Sequence, residues 1–157
     1  RIDDKAGVSY SLINLALLYY YWGQFDRMSE VAQEAFEIAG RIDDPYGKDA
    51  ALHDLGLVAL ECGSPAQAIP FFQRALEIAR EIGDQALEPE TLAELGRAYY
   101  HLGDLDRAGE ALKQALDVAS ISVEQNYVSI VHAYAALVFL DVNLPGMNGL
   151  GVLPGLK

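Results

Sequence analysis

Apolar residues recur along most of the chain at intervals of three and four, the spacing that places side chains on one face of an α-helix. Glycine interrupts this pattern at Gly23, Gly63 and Gly103, which are 40 residues apart. Because glycine at such a break favours a turn, each one is expected to separate the two antiparallel helices of a hairpin. The predicted helices span residues 8–22, 24–41, 46–62, 65–82, 89–102 and 105–120.

The whole pattern returns with a period of 40 residues, and three copies keep one register without a gap. The aligned positions include Leu12 with Leu52 and Leu92, Leu15 with Leu55 and Leu95, and Ala35 with Ala75 and Ala115. We place the repeats at about residues 8–44, 45–84 and 85–124, followed by a partial repeat over 125–140. The sequence therefore predicts an all-α fold of three helical hairpins plus one extra helix.

Small residues recur where the two helices of a hairpin are expected to cross. Gly56 and Gly96 would let the neighbouring helices approach closely, and Phe72 and Leu112 would fill the space beside them. The first copy is looser, because Ala16 stands at the glycine position. A bulky residue in place of Gly96 is therefore expected to overpack the crossing.

These positions resemble the tetratricopeptide repeat, which has a large residue, Leu-Gly and Tyr on one helix and Ala, a large residue and Ala on the next. The third copy carries this pattern at Leu92, Leu95, Gly96, Tyr99, Ala108, Leu112 and Ala115. The 40-residue period and the turn at Gly83 and Asp84 resemble the long-repeat subclass, which includes bacterial signalling transcription activators, quorum-peptide-sensing phosphatases and animal polarity adaptors. The resemblance covers residues 8–140 and implies a right-handed superhelical solenoid that binds proteins or peptides.

In such solenoids the first helix of each hairpin lines a concave groove, and helical phase predicts which side chains face it. The candidate peptide-binding residues are Asn14, Leu17 and Tyr21 in the first copy, His53, Asp54, Leu57 and Glu61 in the second, and Glu90, Glu94, Arg97, Tyr100 and His101 in the third. We expect the carboxylates to attract a basic segment, and Asn14 and Arg97 to supply directional hydrogen bonds. Tyr21, Tyr100 and Leu57 would anchor it. At each position the alternative is an ordinary solvated face.

The charges on these helices bear on the kind of partner. Tetratricopeptide domains that hold acidic C-terminal peptides carry Lys, Arg and Asn there, because a carboxylate needs charge-assisted donors. The matching positions here are Ile13, Leu17, Asp54, Glu90 and Glu94, none of which is a cation. The chain also has 11 Lys and Arg against 23 Asp and Glu, a net charge of −12. We therefore expect a basic or apolar partner segment rather than an acidic one, and no nucleic acid.

The sequence shows no catalytic or cofactor-binding pattern. His53, His101 and His132 lie on different predicted helices, so none forms the i, i+4 pair of a helical metal site. Cys62 is the single cysteine, which excludes an intrachain disulfide, and we expect a partly buried structural thiol. No apolar run reaches the roughly 20 residues of a membrane-spanning helix. We expect a cytoplasmic protein that is not an enzyme and uses neither metal nor cofactor.

The repeat pattern stops after Leu140 and an irregular Gly- and Pro-rich tail follows over residues 141–157. Residues 137–153 resemble the phosphoacceptor strand and loop of response-regulator receiver domains, which would make Asp141 the phosphoacceptor. A receiver also needs an earlier acidic pair for Mg²⁺ and later Ser/Thr and Lys residues, which this chain does not supply. A complete receiver domain is therefore excluded.

A non-enzymatic binding scaffold within a larger signalling or regulatory protein fits these observations best. Two alternatives stay open. One is a ligand-sensing or phosphorelay-linked regulatory module. The other is a self-association module, possible as a homodimer through the C-terminal end, because the predicted helix over 125–140 lacks a following helix to cover its apolar face.

Overall fold

Six α-helices make up the part of the chain that the computed structural model describes, residues 5–121. They are α1 (Lys5–Tyr21), α2 (Phe25–Ile42), α3 (Pro45–Glu61), α4 (Pro65–Ile82), α5 (Glu88–His101) and α6 (Leu105–Ile121). All six predicted helices are confirmed, with ends that differ from the prediction by at most three residues. Several predicted features lie outside the described residues. They are the extra helix over 125–140 with its proposed self-association surface, the tail over 141–157, and Asp141.

The helices fall into two compact units, Arg1–Asp84 and Gln85–Lys157. In the first unit each helix packs against the next, and α1 also touches α3, so that two hairpins stack. In the second unit α5 packs against α6 as a third hairpin. Each unit is therefore built from the helical hairpin that the 40-residue repeat predicts.

The turn inside each hairpin depends on a glycine with left-handed backbone geometry. Gly23, Gly63 and Gly103 have φ values of 66°, 76° and 77°. Such an angle lets the N–H groups of the glycine and of the residue after it cap the last carbonyls of the preceding helix. The bonds that reach back five residues are Gln24 N to Tyr19 O (2.9 Å), Ser64 N to Ala59 O (2.9 Å) and Asp104 N to Tyr99 O (3.0 Å).

The turns between hairpins use the same geometry with different residues. Gly83 ends α4 at φ 71°, whereas the equivalent Asp43 ends α2 at φ 55°, a region that side chains other than glycine adopt at a cost. Asp43 accepts a 3.0 Å hydrogen bond from Lys48 Nζ at the surface. It is the one non-glycine residue with positive φ among residues 5–121.

The helix crossings confirm the predicted role of glycine. A Cβ atom added at Gly56 would lie 2.5 Å from the Phe72 ring, and one at Gly96 would lie 2.8 Å from Cγ of Leu112. Both distances are shorter than any real carbon contact, so these positions exclude a side chain. The first hairpin instead has Ala16 at the crossing, with a small Ala32 where the second hairpin has Phe72.

The same contact between an arginine and a tyrosine ring occurs within each of two hairpins. The guanidinium of Arg107 lies 4.6 Å from the centre of the Tyr99 ring, and the equivalent Arg27 lies 5.9 Å from that of Tyr19. In the third hairpin Asp104 also caps α6, because its carboxylate accepts hydrogen bonds from the backbone N–H of Arg107 (3.1 Å) and from Nε (2.6 Å). These bonds hold the pKa of Asp104 below its ordinary value.

Candidate peptide-binding faces

The candidate residues on α1 form an exposed stripe. Asn14, Leu17 and Tyr21 are all exposed, with 47% of Leu17 and 74% of Tyr21 accessible to solvent. Tyr10, which is 55% exposed, lies four residues before Asn14 and extends the same face by one turn. Helical spacing alone could have identified Tyr10, which the sequence analysis missed. We call Tyr10, Asn14, Leu17 and Tyr21 the α1 stripe.

The candidate residues on α3 are mostly buried. The exposed fractions of His53, Asp54 and Leu57 are 4%, 8% and 6%, and Glu61 is half-buried. The expectation that His53, Asp54 and Leu57 face an open groove is therefore wrong. The physical reason is that α3 packs against α1, α2 and α4 within its unit, and the His53 ring lies 5.9 Å from that of Phe72. Leu57 contributes to the interior and is not available as an anchor.

On α5 two of the candidate residues engage each other. Arg97 Nε lies 2.7 Å from a carboxylate oxygen of Glu94, and the side chains are 21% and 5% exposed. The sequence predicts separate roles for them, Glu94 as an attractor of cations and Arg97 as a donor to a ligand. In the structure the cation and the carboxylate neutralise one another one turn apart on the same helix. Glu94, being buried, is also not an open groove residue.

Glu90, one turn before Glu94, keeps a different environment. Its side chain is half-buried, and this burial raises the pKa of the carboxyl above its ordinary value because the charged form loses hydration. A carboxylate held in this way gains more from a ligand cation than a fully hydrated one does. Glu90 is therefore the candidate acidic residue on α5 best suited to a basic group.

Two rings lie near the C-terminal end of α5. Tyr100 is half-buried and His101 is exposed, and their ring centres are 5.9 Å apart in an edge-to-face arrangement. The pair carries the tyrosine hydroxyl and two imidazole nitrogens, which are groups that can hydrogen-bond to a neighbouring segment. Tyr100 and His101 therefore remain candidates for contact with a partner.

Between residues 5 and 121 no group of three or more His, Cys, Asp and Glu side chains is placed to hold a metal ion. Cys62 is an exposed free thiol, so the expectation of a partly buried thiol is wrong; it follows the end of α3 at the hairpin turn, where nothing covers it. None of the six helices is long and apolar enough to cross a bilayer.

Comparison with known proteins agrees with this architecture. Two family models described as tetratricopeptide repeat match the chain, one over residues 48–120 and the other over residues 9–41. No curated protein sequence matches the chain. The family models therefore carry the sequence evidence, and they cover all three hairpins.

Solved structures share the fold at low sequence identity. The TPR domain of Arabidopsis FLU is similar at a TM-score of 0.70 and 19% identity, over 75% of this chain and 99% of that domain. BtubC from P. vanneervenii has a TM-score of 0.75 and 20% identity, over 89% of this chain and 58% of its own. Aspartyl phosphate phosphatase F from Bacillus subtilis has a TM-score of 0.78 and 19% identity, over 88% and 36%. Residues 9–41 and 48–120 of this chain therefore belong to the tetratricopeptide-repeat family.

Proposed function

We propose that this chain is a non-enzymatic scaffold that binds a segment of another protein. The binding surface is the exposed face of the first helix of each hairpin. Tetratricopeptide repeats generally serve in protein–protein interaction. The observation that carries the proposal is the α1 stripe, where Tyr10, Leu17 and Tyr21 are each about half exposed or more. Aromatic and aliphatic side chains held rigidly on a helix are effective anchors for a partner, because burying them removes apolar surface from water.

The partner segment in this proposal is basic or apolar. Glu61 on α3 and Glu90 on α5 are half-buried carboxylates at candidate positions, and the chain as a whole carries a charge of −12. Such a field steers a basic segment towards the protein and repels an acidic one. Buried Glu94 contributes less, since Arg97 already balances its charge.

The setting of this scaffold is a larger signalling or regulatory protein of the cytoplasm. The 40-residue spacing between the starts of α1 and α3, and between those of α2 and α4, supports the long-repeat subclass of tetratricopeptide proteins. The free thiol of Cys62 fits a reducing compartment. BtubC and the Bacillus phosphatase are longer than the segment this chain matches, which supports a role as one module among several.

The charge of the partner can be tested with two peptide pools. Both are labelled with fluorescein and have the same Leu, Tyr and Ser content, but one contains Lys and Arg where the other contains Asp and Glu. We expect the basic pool to raise the fluorescence anisotropy on titration with the protein, and this binding to weaken with salt. Equal binding of the two pools, or preference for the acidic pool, would contradict the proposed chemistry.

A further inference from the structure

Tyr21 occupies a position that stays accessible from one hairpin to the next. It is 74% exposed at the end of α1. The equivalent residues, Glu61 and His101, lie on helices that have a hairpin before them, yet Glu61 is only half-buried and His101 is exposed. Leu57, one turn before Glu61, is by contrast 6% exposed. Access to Tyr21 is therefore a property of this position in the repeat.

Tyr21 and Glu61 lie at the same end of two neighbouring helices. Helices α1 and α3 touch, and they run parallel because the chain reverses at each of the two turns between them. A Cβ atom added at Gly47 would lie 3.1 Å from Oγ of Ser9, which fixes the register of the pair. Tyr21 and Glu61 follow these two residues by about 18 and 21 Å along their helices. They therefore differ in height by less than one helical turn.

The ring of Tyr21 is held by two other rings. Its centre lies 5.8 Å from that of Tyr20, with the planes at 71°, and Tyr20 in turn lies 6.3 Å from Phe25 at 64°. Tyr20 and Phe25 are half-buried, so the edge-to-face contacts connect Tyr21 to the body of the hairpin. Less conformational entropy is lost when a ligand binds to a ring restrained in this way.

The electrostatic setting of the pair favours a cation. Tyr21 and Glu61 are the last residues of α1 and α3, and helix C-termini carry partial negative charge. Neither helix has a basic residue in its last turn. The nearby Arg27, at the start of α2, is directed at a different ring, that of Tyr19, at 5.9 Å.

We infer that Tyr21 and Glu61 together bind an arginine side chain of the partner segment, an inference that rests on the proposed function. A guanidinium is planar, so it can stack on an aromatic ring while it donates hydrogen bonds to a carboxylate. A lysine ammonium is a compact, strongly hydrated charge without this shape. Glu61 can accept such bonds beside its contact within the protein, because a carboxylate has several acceptor sites.

The third hairpin contains the same combination of groups within one chain. The guanidinium of Arg107 lies 4.6 Å from the centre of the Tyr99 ring, and its Nε and one Nη are each 2.6 Å from Oδ2 of Asp104. One arginine thus contacts a ring and a carboxylate at the same time. Tyr21 and Glu61 offer these two groups to an arginine from another protein.

Three fluorescein-labelled peptide pools test the inference by fluorescence anisotropy with the full chain. They have the same Leu, Tyr and Ser content, and their remaining positions are all arginine, all lysine or all citrulline. We expect the arginine pool to bind at least about fivefold more tightly than the lysine pool. The citrulline pool should bind most weakly, because citrulline keeps the planar shape without the charge.

Glu61→Gln and Tyr21→Leu are each expected to reduce the preference for arginine over lysine to about twofold or less. The double variant should reduce it no further, because both side chains act on one guanidinium. Glu110→Gln and Tyr46→Leu are the matched controls, since both residues are exposed away from the pair, and they should keep the preference. Circular dichroism checks that every variant is folded.

The outcomes separate this inference from the proposed function. Binding of the arginine and lysine pools with equal affinity would overturn the arginine site and leave the scaffold proposal intact. A preference for arginine that survives both Glu61→Gln and Tyr21→Leu, or that the control variants remove equally, would do the same. Absence of binding by all three pools would overturn both.

Discussion

At the scale of single residues, packing at each hairpin crossing depends on how side-chain volume is divided between the two helices. Gly56 accommodates Phe72 and Gly96 accommodates Leu112, whereas the first hairpin pairs Ala16 with buried Met28 and Ala32. Each crossing fills the same space with a different division of volume between the two helices. A substitution at one member of such a pair therefore has a cost that depends on the other member.

Gly56→Ala is expected to lower the free energy of unfolding by about 1–3 kcal/mol, because the new Cβ would lie 2.5 Å from the Phe72 ring. Gly40→Ala is the matched control. It lies inside α2 with no atom within 4 Å of the added Cβ, and should raise the free energy of unfolding by about 0.5–1 kcal/mol through helix propensity. Chemical denaturation measures both. Equal effects at the two glycines would refute the packing argument.

Glu90 gives a prediction about pH. Its folded-state pKa lies above the ordinary value, so between these two values the folded state holds a proton that the unfolded state has lost. The free energy of unfolding therefore falls as the pH rises through that window. Glu90→Gln removes this loss, and we expect it to stabilise the protein at pH 7 and to have little effect at about pH 4.

Thermal melts between these pH values measure the difference between Glu90→Gln and the parent chain. Glu110→Gln, at an exposed position on α6, controls for the general effect of removing one negative charge. A stabilisation by Glu90→Gln that is the same at both pH values, or equal to that of the control, would show that burial of the Glu90 carboxyl is not the cause.

The ion pair between Arg97 and Glu94 makes Arg97 unsuitable as a site for testing binding alone. Alanine at Arg97 removes the cation 2.7 Å from the Glu94 carboxylate, which is 5% exposed. Removing one partner of a buried ion pair destabilises a protein by about 3–5 kcal/mol. We expect Arg97→Ala to lower the melting temperature, whereas Tyr100→Ala, on the same helix, is better suited to test binding. A melting temperature unchanged by Arg97→Ala would contradict this assignment.

At the scale of helices, proline placement separates harmless positions from costly ones. Pro65 and Pro89 lie in the first turn of α4 and α5, where a missing N–H group removes no helical hydrogen bond. Pro70 lies in the second turn of α4 and cannot donate to the carbonyl of Ala66. Its exposed side chain contributes nothing to the core in return.

Pro70→Ala is therefore expected to raise the free energy of unfolding by about 1–3 kcal/mol, since it restores a helical hydrogen bond and removes a steric conflict. Pro65→Ala, at the first position of the same helix, should have a much smaller effect. Urea denaturation compares the two variants. A destabilised Pro70→Ala protein would mean that the proline ring packs against something that its exposure does not reveal.

The helices and their crossings were largely predictable, whereas the exposure of the candidate residues was not. A 40-residue period with glycine at fixed places determines where helices begin, end and cross, because these features depend on local spacing. Whether a side chain is covered depends on which helices pack on both sides of it. Leu17 and Leu57 are equivalent in the repeat, yet the first is 47% exposed and the second 6% exposed.

The turn at Asp43 shows another limit of sequence pattern. Gly83 signals the end of α4 through its freedom to adopt positive φ, but Asp43 takes the same conformation without that signal. The structural reason is the capping bond from Asp44 N to Ala39 O at 2.9 Å, equivalent to the 2.8 Å bond from Asp84 N to Ala79 O. The geometry of the repeat therefore imposes the turn on a residue that tolerates it.

At the scale of the whole molecule, the chain combines a strongly negative net charge with exposed apolar and aromatic side chains on α1. In the proposed function, the charge of −12 selects against acidic partners, and the α1 stripe supplies the apolar contact that charge alone cannot provide. Within the stripe, Leu17 is an exposed apolar residue whose substitution probes that contact.

The proposal that the α1 stripe binds a partner segment can be tested by measuring peptide affinity. The affinity of the basic peptide pool is compared between the parent chain, Leu17→Ala with Tyr21→Ala, and Tyr46→Ala, whose tyrosine is 49% exposed outside the stripe. We expect at least about tenfold weaker binding for the double variant and an unchanged affinity for Tyr46→Ala. Equal affinity of all three folded proteins would contradict the claim and place the binding site elsewhere on the molecule.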